Sequence, residues 1–510
     1  MEKWRYPLVL VALYVLMVVC VDPRGDFPLN DDWSFGMDVK RLVEQGNLAL
    51  GRWTAMTLVA QVGWGALFTW PFGFSFTALR LSTLVLGLAG VLALYGILLQ
   101  VQKSRAVAFF GALVFTACPL FLPLANSFMT DVPFVAVALI ACLLLMQGHL
   151  FSGSLIASLA VLIRQVGLAI PLAFTLSNLK NKSTWQLLGV VALPLAVYLI
   201  YVLWIQPSIA DTQMSDEKTQ SLLASLSNPK ESLFNLINNS CAALLYIGLF
   251  TLPFSCLGIK EVWNNRKYLI SNVLIIFICG WIAAIAALYH LFPYWGNYLF
   301  NFGLGAIVLY DTTTLHLAHA PHSALFWVLY VLFGVMGLIF LCKLLLPWKK
   351  KTLFFLLVPL FYFLPLALGH NFDRYLLLIV PCALILLAQA LIPSRAGWTL
   401  GVFLAILYLG FSLAGTHDYL AWNRARWQGL NELLAQGIPP EKIDGGLEFN
   451  GLTLYDKRYP AVEGKSWWWV QDDAYIVTMG PIPGYKVYKT YPYSAWMPWG
   501  NRAIYMMKRE

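Results

Sequence analysis

The sequence predicts a mainly α-helical membrane protein of about thirteen transmembrane helices, followed by a small α/β domain outside the cytoplasm. Three observations predict this fold class: 59% of the 510 residues are hydrophobic, only 12% are charged, and long apolar runs recur between residues 7 and 414. A soluble chain is about 25% charged. The mean hydropathy of +0.69 therefore excludes a soluble globular enzyme, a disordered chain and a collagen-like fibre.

The net charge of +9 does not indicate nucleic-acid binding. The basic residues form short clusters between apolar runs, which is the pattern of cytoplasmic loops in membrane proteins. The eight cysteines lie in or near apolar runs at irregular spacing, so they predict neither a disulfide framework nor a metal site. We expect membrane lipid as a partner of the protein, and no nucleic acid.

The spans are predicted from apolar runs and from the charges between them. The first run, 7–21, follows Lys3 and Arg5 and lacks a cleavage site, which favours an uncleaved helix with a cytoplasmic N-terminus over a signal peptide. The further long runs are 78–100, 105–122, 131–148, 185–205, 240–259, 268–289, 324–346, 352–369, 375–392 and 397–414.

The stretch 152–178 decides the direction of everything after it. It is interrupted by Arg164, Gln165 and Gly167, so it fits either one tilted span or two short helices. Two short helices place every later basic cluster in the cytoplasm with the N-terminus, whereas one span places them outside. We therefore expect two short helices that meet on the outer side, and a C-terminus outside the cytoplasm of a multi-pass inner (plasma) membrane protein.

The chain divides into a transmembrane domain, 1–415, and an extracytoplasmic C-terminal domain, 416–510. The transmembrane domain has outer loops 22–77, 206–239 and 290–323. The C-terminal domain has strand-like runs such as "AYIVTMG", "YKVYKT" and "AIYMMKR", separated by Gly and Pro turns, and a helix near 418–436 precedes them. The linker 206–239 has apolar residues at helical spacing, which suits either a mobile flap or a passive interfacial helix.

Charged and polar side chains gather at one level, near the predicted outer surface. Such groups at membrane depth are costly and their default interpretation is functional. They are contributed by distant segments, including "PLNDDWSFGMD" and "LGHNFDRYLLLIVP". The residues are Asp31, Asp32, Arg80, Asp131, Arg164, Gln165, His370, Asp373 and Arg374.

Each of these residues taken alone also has a structural interpretation. Asp31 and Asp32 suit solvated loop acids or a helix N-cap, and Asp131 suits a cap of the fourth span. The arginine of the second span suits an interfacial anchor, and Arg374 suits an ion pair with Asp373. Arg164 lies between two apolar runs and is harder to explain in this way. Together, carboxylates and guanidinium groups suit a general base and a phosphate site, so the group predicts transfer of a sugar from a lipid phosphate to a hydroxyl.

These motifs resemble those of GT-C glycosyltransferases, in the branch of protein O-mannosyltransferases and lipid A aminoarabinose transferases. The acidic pair in "DDWSFG" is similar to the family's first-loop pair, with Asp32 where the family has Glu. Four further motifs of the family are matched in order: Arg80 in "LRLSTLVLG", "TDVP" at 130–133, "RQVG" at 164–167 and "DRYLLLIVP" at 373–381. The resemblance covers the whole chain.

The resemblance implies an inverting transfer from a polyprenyl-phosphate sugar to a glycan, lipid or protein acceptor. It implies Asp31 as general base, Asp32 and Asp131 as acids that orient the acceptor or hold that base, and phosphate contacts from Arg80, Arg164 and Arg374. Gln165, His370 and Asp373 are expected to orient substrate. No cofactor or metal is expected, although the acidic pair could bind a divalent cation, as in related oligosaccharyltransferases.

Alternatives from other classes stay open at this point. A multi-span transporter or flippase for a lipid-linked or anionic substrate would place its ionisable groups near the midplane, often in repeats. A non-catalytic scaffold leaves Arg164 and the acidic pair unexplained. The tryptophans of the C-terminal domain suit core packing or interfacial anchoring, or else contact with the acceptor; they are Trp422, Trp427, Trp467, Trp468, Trp469, Trp496 and Trp499.

Overall fold

A bundle of apolar helices carries a small domain with a four-stranded sheet at its C-terminal end. The structure, a computed structural model, describes residues 2–211, 213–289, 293–299, 303–309, 324–347, 352–369, 371–455, 469–470, 472–497 and 499–510. His370, Trp467, Trp468 and most of the predicted loop 290–323 lie outside these described residues.

Within the described residues 2–211, the first half of the bundle contains eleven helices. Several of them are short because polar residues interrupt the apolar runs. Its helices are α1 (Glu2–Val21), α2 (Asp32–Gln45), α3 (Val59–Thr69), α4 (Phe76–Gln102), α5 (Arg105–Thr116), α6 (Phe121–Ala125), α7 (Asp131–Met146), α8 (Leu150–Ile163), α9 (Ala169–Ser177), α10 (Thr184–Ile200) and α11 (Gln206–Ile209). A 3₁₀ turn, Gln165–Leu168, precedes α9, and a π-helical turn, Tyr201–Ile205, joins α10 to α11.

The second half contains longer helices and the C-terminal domain. Its helices are α12 (Gln213–Ser227), α13 (Pro229–Ser255), α14 (Ile259–Asn264), α15 (Leu269–Tyr289), α16 (Ala324–Leu345), α17 (Leu353–Ala367), α18 (Ile379–Ala390), α19 (Arg395–Ala435) and α20 (Leu447–Leu454). The 3₁₀ turns are Cys256–Gly258, Asp373–Leu378 and Pro440–Lys442. The strands are β1 (Ile443–Asp444), β2 (Tyr475–Thr478), β3 (Tyr485–Trp496) and β4 (Trp499–Arg509).

Eight helical segments of the described ranges are long and apolar enough to cross a membrane. Five shorter apolar helices, of 10 to 17 residues, accompany them. These segments are what a multi-pass membrane protein requires. The number of actual crossings, and the side that each terminus faces, stay predictions.

The awkward stretch 152–178 is two helices. Arg164 has extended backbone dihedral angles, φ −142° and ψ 129°, and it ends α8 before the 3₁₀ turn begins. Gly167 packs against the backbone of Ala160, 2.8 Å from where a Cβ would lie, so a larger residue there would push the two helices apart. This tight turn places the Arg164 side chain at the junction of α8 and α9.

The predicted boundary at residue 415 falls inside a continuous helix. The last apolar run and the helix expected near 418–436 are one 41-residue helix, α19. Its second half is the base of the C-terminal domain, where Trp422 and Trp427 are buried. The domain is therefore attached to the bundle through an unbroken helix, which limits how it can move.

The C-terminal sheet has the order β1-β2-β4-β3, and only the β1-β2 pair is parallel. The three strand-like runs of the sequence correspond to β2, β3 and β4. The predicted fold class, mainly α with a small C-terminal α/β domain, is thereby confirmed.

Candidate functional site

Asp31, in the loop 22–77 that is predicted to lie outside, and Arg374 of the "DRY" motif form an ion pair. Nη2 of Arg374 donates to Oδ2 of Asp31 at 3.1 Å, and Nε1 of Trp53 donates to Oδ1 at 2.9 Å. The Arg374 side chain is 7% exposed and that of Asp31 is 18% exposed. The acid is therefore held at both oxygens while it keeps an opening to solvent.

The TDVP motif and the RQVG turn form a second ion pair. Nη2 of Arg164 donates to Oδ1 of Asp131 at 2.9 Å, and its Nε donates to the Thr130 hydroxyl at 2.7 Å. Both charged side chains are buried. Because Arg164 lies at the break between α8 and α9, the helix break aims its guanidinium group at the start of α7.

A tyrosine ring connects the two pairs. The Cζ of Arg374 lies 5.6 Å from the centroid of the Tyr375 ring, and the Cζ of Arg164 lies 5.9 Å from it. Asp131 also acts electrostatically on Arg374. Two acids and two arginines from distant segments thus form one neutral cluster, which we call the Asp31–Arg164 cluster: Asp31, Asp131, Arg164 and Arg374.

Part of the hydrogen-bonding capacity of this cluster is unused. Nε and Nη1 of Arg374 and Oδ2 of Asp131 are buried and have no hydrogen-bond partner within the described ranges. A buried donor without a partner costs about 1–3 kcal/mol, more for a charged group. Two free guanidinium nitrogens in a buried site are suited to an anionic oxygen supplied by a ligand.

Asp32 has different partners from Asp31. Its two carboxylate oxygens accept from the backbone N–H of Leu29 and, at 2.9 Å, from that of Phe128. Burial raises the pKa of Asp32 from 3.8 to about 7, although both N–H bonds and Arg80 act in the opposite direction. Asp32 therefore ties the loop before α2 to the segment before α7, next to the cluster rather than in it.

Adjacency in the sequence suggested an ion pair between Asp373 and Arg374, but the two side chains do not form one. Its carboxylate accepts from the backbone N–H of Tyr298 at 3.0 Å and from that of Leu299 at 2.6 Å. Asp373 is completely buried. It fixes residues 298–299 beside the motif and leaves Arg374 available to Asp31.

Arg80 contacts backbone carbonyls rather than the cluster. Its Nη1 donates to Pro23 and, at 3.2 Å, to Gly25, and its Nη2 donates to Phe27 at 3.0 Å. Its residue exposure is 1%. These contacts favour a structural role, in which Arg80 shapes the chain that leads to Asp31. The expected phosphate contact of Arg80 stays a prediction.

Gln165 lies on a neighbouring cleft. Its Nε2 donates to the carbonyl of Ala55 at 3.3 Å, and it lines the cleft with Thr54, Tyr198 and Tyr201. Tyr198 and Tyr201 flank the start of the π-helical turn after α10. His370, the other substrate-orienting candidate, lies outside the described residues.

Asp38 is a buried acid that the sequence interpretation passed over. Its Oδ1 accepts from the backbone N–H of Gly51 at 3.0 Å, its Oδ2 accepts from the Thr54 hydroxyl at 3.4 Å, and Arg41 pairs with it. Burial raises the pKa of Asp38 to about 7. These bonds shape the segment that carries Trp53. The only signal in the sequence was the acid itself, which follows the acidic pair within the same predicted loop.

The C-terminal domain also contacts the acidic loop, through Glu448. Its Oε1 accepts from the backbone N–H of Asn30 at 2.8 Å, and its Oε2 accepts from Nη1 of Arg426 at 2.8 Å. Both charged side chains are fully buried. Asn30 has a left-handed φ of 58°, which Asn tolerates better than most residues. No sequence motif marked this contact.

Aromatic rings surround the Trp53 side of Asp31. Four rings pack together: Trp33, Trp53, Tyr455 and Trp469. The ring centroids of Tyr455 and Trp469 are 5.0 Å apart, and those of Trp53 and Tyr455 are 6.3 Å apart. We call these residues the aromatic platform.

Among the other tryptophans of the domain, Trp496 stacks on His417, with the ring centroids 3.9 Å apart. In the described part of the chain, no group of three His, Cys, Asp or Glu side chains is placed to hold a metal ion.

No family model and no curated protein matches the sequence. Among solved structures, the chain is similar to ArnT from Cupriavidus metallidurans bound to undecaprenyl phosphate, with 14% identity, a TM-score of 0.48, and coverage of 99% of this chain and 98% of that chain. The same protein in the apo state matches at 14% identity and a TM-score of 0.42, with the same coverage. A likeness this distant assigns no role to any residue.

Proposed function

We propose that this chain is an inverting glycosyltransferase that moves a sugar from a polyprenyl-phosphate carrier to an acceptor hydroxyl on the outer face of the membrane. One observation carries the proposal. Arg374 is buried, donates one of its nitrogens to Asp31, and finds no partner for Nε and Nη1 among the residues that the structure describes. A base candidate and an anion-binding group are therefore adjacent.

In the proposed reaction, the acceptor hydroxyl oxygen attacks the anomeric carbon as the bond from that carbon to the phosphate oxygen breaks. The hydroxyl proton passes to Asp31, and the bonding electrons leave with the phosphate. The phosphodiester carries one negative charge and the departing phosphate monoester carries up to two. Arg374 and Arg164 stabilise this developing charge, and such preorganised electrostatic stabilisation is usually the largest contribution to catalysis.

The ion pair between Asp31 and Arg374 is consistent with this reaction. A donor phosphate that binds Nε and Nη1 of Arg374 competes with Asp31 for the guanidinium charge. The carboxylate is then less strongly neutralised and is a better proton acceptor. Donor binding would thus prepare the base, while Trp53 keeps the carboxylate in its orientation through Oδ1.

In the proposal, the other three predicted acids hold the ion pairs and the backbone around Asp31 in position. Asp131 neutralises and orients Arg164. Asp32 and Asp373 hold the backbone on either side of the ion pair through N–H bonds. The proposal includes neither a resident cofactor nor a metal.

The deciding experiment is transfer by purified protein from a panel of radiolabelled polyprenyl-phosphate sugars, with a cell-envelope extract as acceptor. We expect a labelled product with the wild-type chain and none with Asp31→Asn. Binding or translocation of the labelled lipid without any glycosidic product would instead identify a transporter or flippase. Absence of both would leave a scaffold.

A further inference from the structure

We propose that the aromatic platform is the acceptor subsite and that the acceptor presents a carbohydrate to Asp31. The proposal deepens the proposed function and rests on it. It assigns the C-terminal domain a direct part in substrate binding, because two of the four rings belong to that domain.

The aromatic platform borders Asp31 on the side of its Oδ1 atom. Oδ2 of Asp31 faces Arg374, where the donor phosphate binds in the proposed function, and Oδ1 faces Nε1 of Trp53. In an inverting displacement, the attacking oxygen approaches from the side opposite the leaving phosphate. The acceptor therefore reaches Asp31 from the Trp53 side, which the platform borders.

Three separate parts of the chain build the platform. Trp33 follows the acidic pair, Trp53 comes from the loop shaped by Asp38, and Tyr455 and Trp469 come from the C-terminal domain. The ring centroids of Trp33 and Trp469 are 5.7 Å apart, and those of Trp53 and Trp469 are 5.4 Å apart. Trp53, Tyr455 and Trp469 are only half-buried.

A close fit holds the most buried ring of the platform, Trp33, in place. A Cβ at Gly451 would lie 2.5 Å from the Trp33 ring, so helix α20 approaches the ring directly. Trp33 is 4% exposed, and its Nε1 has no hydrogen-bond partner in the described part of the chain. A buried indole N–H usually finds an acceptor, and a ligand hydroxyl would be one.

The surroundings of the platform combine aromatic faces with polar groups. Arg52, Asp211 and Glu217 act electrostatically on Tyr455, so polar and charged groups border the rings. A pyranose matches this combination, because it offers a face of C–H groups to a ring and a rim of hydroxyls to polar neighbours. An extended peptide matches it less well, because its backbone needs a row of hydrogen-bond partners. The occupant we propose is therefore a sugar of a glycolipid or glycan.

The test is titration calorimetry on the full chain in detergent with two soluble probes. One probe is the oligosaccharide fraction released by mild acid from envelope glycolipids, and the other is a serine- and threonine-rich peptide. We expect saturable binding of the oligosaccharide and none of the peptide. We expect Trp469→Ala to weaken oligosaccharide binding by about tenfold, which corresponds to ~1.4 kcal/mol.

Two further variants make the result specific. Trp469→Leu keeps an apolar side chain without an aromatic face, so we expect it to lose the same affinity while it retains the unfolding temperature of the wild type. Tyr488→Ala removes an exposed aromatic ring from β3 of the same domain and should bind like the wild type. Binding of undecaprenyl phosphate, followed by native mass spectrometry, should be the same in all of these chains.

Each contrary result has a definite meaning. Oligosaccharide affinity that is unchanged in Trp469→Leu, binding of the peptide in place of the oligosaccharide, or no saturable binding of either probe would each overturn the acceptor subsite. Failure of the proposed function is recognised separately. In that case the wild-type chain does not bind undecaprenyl phosphate, or Arg374→Ala binds it with unchanged affinity.

Discussion

The Nη2 atom of Arg374 lies 3.1 Å from Oδ2 of Asp31, although 343 positions separate the two residues in the chain. This pair connects the loop between α1 and α2 to the last predicted motif. Nε and Nη1 of Arg374 have no hydrogen-bond partner in the described part of the chain, so the pair, unlike a closed structural salt bridge, leaves donors unused. The expected behaviour of variants follows from this difference.

Asp31→Asn is expected to abolish sugar transfer, because general-base catalysis is worth about 10²–10⁴ in rate. Undecaprenyl phosphate should bind at least as tightly as to the wild type, because the amide no longer competes with the phosphate for the Arg374 charge. The amide cannot take the acceptor proton, but it still accepts from Trp53. Transfer is measured with a labelled donor, and Asp22→Asn at an exposed ion pair is the control. Turnover near that of the wild type would exclude Asp31 as the base.

Arg374→Lys is expected to weaken binding of undecaprenyl phosphate by about tenfold or more, because lysine supplies a point charge instead of a planar group with several donors. Native mass spectrometry at graded lipid concentrations measures the affinity. Arg24→Lys is the matched control, because Arg24 pairs with Asp22 at an exposed position. Equal lipid affinities for Arg374→Lys and the wild type would contradict a phosphate contact.

The buried pair of Arg164 and Asp131 is expected to show strong coupling in a double-mutant cycle. Arg164→Met or Asp131→Asn alone leaves a buried charge without its partner and should lower the free energy of unfolding by about 3–5 kcal/mol. The double variant should lose less than the sum of the single losses. Thermal unfolding in detergent measures all three variants, and additive losses would show that the two side chains do not interact.

Glu448→Gln is expected to reduce the rate of transfer more than it reduces donor binding, since Glu448 holds the N–H of Asn30, the residue before Asp31. The amide oxygen can still accept one bond, but it loses the charge that faces Arg426. The double variant Glu448→Gln with Arg426→Met removes the remaining buried charge and should recover stability. Recovery of stability without recovery of rate would identify a positioning role, whereas an unchanged rate in both variants would exclude one.

The free energy of unfolding is expected to fall as the pH rises from about 4 to about 7. The pKa values of Asp32 and Asp38 are raised from 3.8 to about 7 by burial, so the folded chain binds more protons than the unfolded chain in this window. Each unit of pKa elevation corresponds to about 1.4 kcal/mol. Unfolding temperatures measured across this range should decline.

Asp32→Asn provides the check on this pH dependence, because it removes one titrating group and keeps an acceptor oxygen for a backbone N–H. Its unfolding temperature should decline less steeply with pH than that of the wild type. Glu441→Gln, a substitution at an exposed acid of the C-terminal domain, is the control and should leave the slope unchanged. Identical slopes for Asp32→Asn and the wild type would show that Asp32 does not titrate in this window.

Much of the candidate site could be predicted from residue types and their level in the membrane. Asp31, Asp131, Arg164 and Arg374 were selected from separate motifs, and the structure brings them together. Partner choice could not be predicted. Adjacency in sequence suggested that Asp373 pairs with Arg374, yet Asp373 binds backbone N–H groups and Arg374 binds Asp31.

The contribution of the C-terminal domain was harder still to predict. Glu448, Tyr455 and Trp469 lie in segments without any motif, more than 400 positions after Asp31. Their places depend on how α19 continues into the domain and on how α20 packs against Trp33. Such packing depends on the shapes of side chains from several elements at once, and local sequence patterns carry no information about it.

The sequence by itself determined that the chain is a helical membrane protein with a small strand-containing domain at its end. Hydrophobic runs and their charged flanks are local quantities, and burial of apolar surface follows them directly. Only the tertiary structure decided which acid meets which arginine, which acids hold backbone instead, and which aromatic rings border the base. Those choices arise from contacts between residues hundreds of positions apart, where only the folded geometry determines which hydrogen bonds can form.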